Sequence, residues 1–63
     1  MQEFVAVNEK QLGICLKMLY AEHVTFFVEL SERTARKIDY HVRIEESDDV
    51  YRELLERFRI LTS

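Results

Sequence analysis

The spacing of apolar residues changes several times along this chain, and each change marks an element. From Val24 to Leu30 the period is two: Val24, Phe26, Val28 and Leu30 share one face, with Thr25, Phe27 and Glu29 between them. From Ile38 to Glu45 it is two again, Ile38, Tyr40, Val42 and Ile44 alternating with Asp39, His41, Arg43 and Glu45. A helix cannot gather such a run on one side, because its stripe needs a three-to-four spacing. The pattern predicts two paired strands, each with one dry and one wet face.

Elsewhere the period is that of a helix. Leu12, Cys15, Leu16 and Leu19 recur at i, i+3, i+4 and i+7, and Ile14, Met18 and Ala21 widen the stripe. Asn8 is placed to cap this helix, with Gln11 three residues later as in a capping box, and His23 and Val24 mark its exit. Ser47 caps a second helix, whose first turn holds Asp48 and Asp49, where the helix dipole favours negative charge. Val50, Leu54, Phe58 and Leu61 form its stripe, with Tyr51 and Leu55 alongside. Arg52–Glu56 and Glu53–Arg57 are i, i+4 pairs on its wet side. Ahead of both helices, "EFVAV" (3–7) reads as a short first strand.

The expected order is β-α-β-β-α, one α+β domain over residues 1–63. Right-handed crossover puts the third strand between the first and second, giving a three-stranded sheet with two helices packed on one face. This resembles a truncated ferredoxin-like, split βαβ arrangement lacking its fourth strand, and the likeness implies a fold without site residues. The expected core is Leu12, Leu16, Leu19, Val24, Phe26, Val28, Ile38, Tyr40, Val42, Ile44, Val50, Leu54 and Phe58. The connection "SERTARK" has no Gly, Pro or Asn, so a tight primed turn is disfavoured. A loop of about five residues with a helical turn at 32–36 is expected instead.

Composition sharpens this picture in two ways. With 63 residues and one cysteine, the chain has a small core and no internal disulfide. A core of that size supplies only about 3–5 kcal/mol, so pairing with a second copy or another protein is an expected source of stability. No run approaches the roughly 20 apolar residues of a membrane span. The opening "MQEFVAV" lacks a basic flank and does not read as a targeting segment. The lone cysteine fits a reducing, cytoplasmic setting.

Charge is unevenly spread. Residues 1–30 carry two lysines against four glutamates, residues 31–44 four cations against two acids, and residues 45–63 three arginines against six acids. The one basic segment therefore contains Arg33, Arg36, Lys37 and Arg43. These could meet phosphates, which makes a nucleic-acid- or small-ligand-binding regulator the alternative reading. Against it, the wet face of the last strand has no aromatic on which a base would stack, and the chain as a whole is acidic.

Chemistry is sparse. Cys15 lies within an apolar stripe and reads as a small buried hydrophobe. His23 reads as a helix-end residue that gains from the dipole, and His41 as a wet-face residue. Neither has the paired spacing of a zinc site, so no metal or cofactor is expected. "EESDD" (45–49) lacks the Gly of a calcium loop. The single glycine sits in a helix, which excludes a Gly-rich phosphate loop. Very small β-α-β enzymes of the tautomerase kind work through an N-terminal proline, and this chain has no proline. The expectation is a non-catalytic interaction or regulatory module. Phe27 is its most informative residue, an aromatic on a wet face, with His41 or Arg43 across the strand pair.

Overall fold

A computed structural model describes residues 1–34 and 37–63, Arg33 by its backbone only. The elements are β1 (Gln2–Ala6), α1 (Glu9–Ala21), β2 (Phe26–Thr34), β3 (Lys37–Ile44) and α2 (Asp48–Thr62), in the expected order. β3 occupies the centre of the sheet, antiparallel to β1 on one side and to β2 on the other. The strand order β1-β3-β2 is the one that right-handed crossover requires.

Register follows the alternation. Phe4 and Val28 both pair with Val42, Ala6 and Leu30 both with Tyr40, and Phe26 with Ile44, so these residues share the dry face. Both helix starts carry their predicted caps. Asn8 Oδ1 accepts the Gln11 N–H at 2.8 Å, and Ser47 Oγ accepts the Val50 N–H at 3.3 Å. Gln11 Oε1 accepts from Val7 at 3.2 Å, one residue before the cap itself. At the other end of α1, the Val24 N–H reaches the Leu19 carbonyl at 3.0 Å and the His23 N–H the Tyr20 carbonyl at 3.1 Å. That is a Schellman closure, with buried Val24 and Leu19 as its apolar pair. His23 occupies its left-handed position with φ 57, where glycine is usual.

The buried set is Phe4, Ala6, Cys15, Met18, Leu19, Val24, Val42, Ile44, Leu54 and Phe58. Phe4 is its hub. Only 1% exposed, it meets Tyr51 at 5.3 Å between ring centroids and Phe58 edge-on at 5.7 Å. Tyr51 also donates its hydroxyl to the Glu3 carbonyl at 2.7 Å, which seats α2 over β1. The other flank of α2 meets α1: Arg57, expected to pair along its own helix with Glu53, binds Glu22 instead. That hydrogen bond, then the charge of Glu22 and more weakly that of Glu53, raises the Arg57 pKa above its ordinary value. Gln2 fixes the entry to α2, accepting the Glu46 N–H at 3.0 Å and donating to the Glu46 carbonyl.

Several expectations are corrected. Val28, Ile38 and Val50, assigned to the core, are exposed. For Ile38 the reason is strand length, whereas Val28, level with Phe4 across Val42, lies on the outer strand β2 with β3 between it and β1. β1 has five residues and ends opposite Tyr40, while β2 and β3 continue pairing as far as Thr34 and Lys37. The covered layer stops with β1, and the hairpin runs on alone. The expected loop is also shorter, because Ser31 pairs with Asp39, Glu32 with Ile38 and Thr34 with Lys37. A register shift between Glu32 and Thr34 takes up the irregularity within the strand. Ala35 and Arg36, on which part of the loop expectation rested, lie outside the described residues.

Candidate interaction surface

Two surfaces flank β2, one on each face of the sheet. On the open face, Phe27 stands opposite Arg43 and Glu29 opposite His41, while Glu3 and Val5 of β1 stand opposite Arg43 and His41 from the other side. The predicted trio Phe27, His41 and Arg43 is therefore brought together. Phe27 is 64% exposed.

Arg43 sits at the centre of this face. Its Nη1 lies 3.1 Å from Glu29 Oε1 and its Nε 3.7 Å from Glu3 Oε2, and His41 Nδ1 lies 3.4 Å from the same Glu3 oxygen. A guanidinium already shared between two carboxylates is a poor partner for a phosphate. These groups are also partly exposed, so the network adds little stability and mainly fixes side-chain positions. Of the other basic residues, Lys37 is exposed at the start of β3. Arg36 and the Arg33 side chain lie outside the described residues.

The second surface was read from sequence as core. The dry face is bare at Val28 (40% exposed) and Leu30 (67%) on the outer strand, and past the end of β1 at Ile38 (39%), opposite Glu32, with Tyr40 partly covered. These residues form an apolar corner next to the free edge of β2. A groove of about 720 Å³ adjoins it, with Val7, Ile38 and Tyr40 in its walls beside Lys10, Lys37, Glu9 and Asp39. Periodicity marked the dry face correctly. The five residues of "EFVAV" against longer flanking strands are the signal that Ile38 would stay bare; Val28 and Leu30, level with Phe4 and Ala6, have no such signal.

The remaining candidates have structural roles. Cys15 is fully buried, and burial pushes its thiol pKa up to about 11, away from nucleophilic chemistry at neutral pH. His23 closes α1, and Ser47 caps α2. Among the described residues no three of His, Cys, Asp or Glu gather as a metal site, and no helix is long and apolar enough to cross a membrane. No protein-family model, curated protein or solved structure matches the chain.

Proposed function

We propose that this chain is a small non-catalytic protein-interaction or regulatory module that binds a second polypeptide, its own copy or another protein. The contact surface is the apolar corner Val28, Leu30 and Ile38 together with the β2 edge, and Phe27 stands on the opposite face beside the same edge. One observation carries the reading. A face patterned for burial along the whole hairpin is covered by the helices over only part of its length. Contiguous apolar surface of this kind, beside an unpaired strand edge, favours association. The small core gives association a thermodynamic role as well.

The reading is tested by photo-crosslinking in living cells. A photoreactive amino acid in place of Leu30 or Ile38 should give polypeptide adducts, and one in place of Arg52, on the exposed side of α2, should not. No polypeptide adduct at either hairpin position, or equal adducts at Arg52, overturns it.

A further inference from the structure

We draw no further inference here: the strongest candidate, the bare apolar face of the hairpin at Val28, Leu30 and Ile38 beside the outer strand β2, carries nothing beyond the interaction reading, because nothing in the structure shows what covers it.

Discussion

Val42 and Ile38 lie four residues apart on the same face of the same strand, yet one is fully buried and the other 39% exposed. Both belong to one alternating pattern, and both have β2 on one side. What differs is the other neighbour. Val42 pairs with Phe4, whereas Ile38 lies beyond the end of β1. Alternation specifies which face of a strand is dry, and the length of neighbouring elements decides whether anything covers it.

If β1 makes the difference, removing its one large side chain should have the largest effect on the molecule. Phe4 fills the space between the sheet, Tyr51 and Phe58. Phe4→Ala should cost about 3–5 kcal/mol, as burial loss and cavity add. That matches the stability expected from a core of this size, so the variant should be largely unfolded at room temperature by circular dichroism. A cooperative unfolding transition within about 1 kcal/mol of wild type would show that the covered half does not depend on β1.

The same contrast explains what was legible in the sequence. The strands of the hairpin, both helix caps and the element order follow from local rules, since each depends on residues within a few positions. Burial of Phe4 was missed because five apolar-rich residues contain too little alternation to choose a face. Exposure of Ile38 depends on where a different strand ends, and exposure of Val28 on how far cover extends across the sheet to its outer strand, neither of which is local to the pattern. The strand character of Ser31–Thr34 is not legible in the alternation, which breaks at Glu32 on the otherwise apolar face; it comes from continued pairing with Lys37, Ile38 and Asp39. The candidate site was half visible. Phe27, His41 and Arg43 come together as register predicted, whereas Leu30 and its neighbours were hidden by being read as core.

Cys15 offers a probe of the covered half that needs no large cavity. Burial holds its thiol pKa at about 11, above the ordinary 9.0 that applies once the chain unfolds. Between those values the unfolded chain loses the proton and the folded chain keeps it. The stability tied to this group is therefore whole below about pH 9 and lost as pH rises toward about 11, by roughly 2–3 kcal/mol. Denaturant titrations across that interval should show a steeper decline for wild type than for Cys15→Ala, whatever the offset between the two. A cysteine in place of Ile38 should titrate as an exposed thiol. Parallel pH profiles for wild type and Cys15→Ala would mean that the helix layer admits water, erasing the contrast between the two halves.

The smallest effect is the most discriminating. Leu30 has the same polarity as Leu19 and continues the face of Val42, but with 67% of its surface in water it has little burial to lose. In dilute solution, Leu30→Ser should change unfolding stability by no more than about 0.5 kcal/mol, as for other exposed positions. At high concentration the two proteins should diverge. A wild type that self-associates gains stability by mass action, and a variant that cannot associate does not. The difference between the dilute and concentrated midpoints therefore isolates the part of this leucine that a single chain does not use. If Leu30→Ser is destabilising by more than about 2 kcal/mol in dilute solution, the corner is core after all. If the two proteins coincide at every concentration, the bare face has no second copy to cover it.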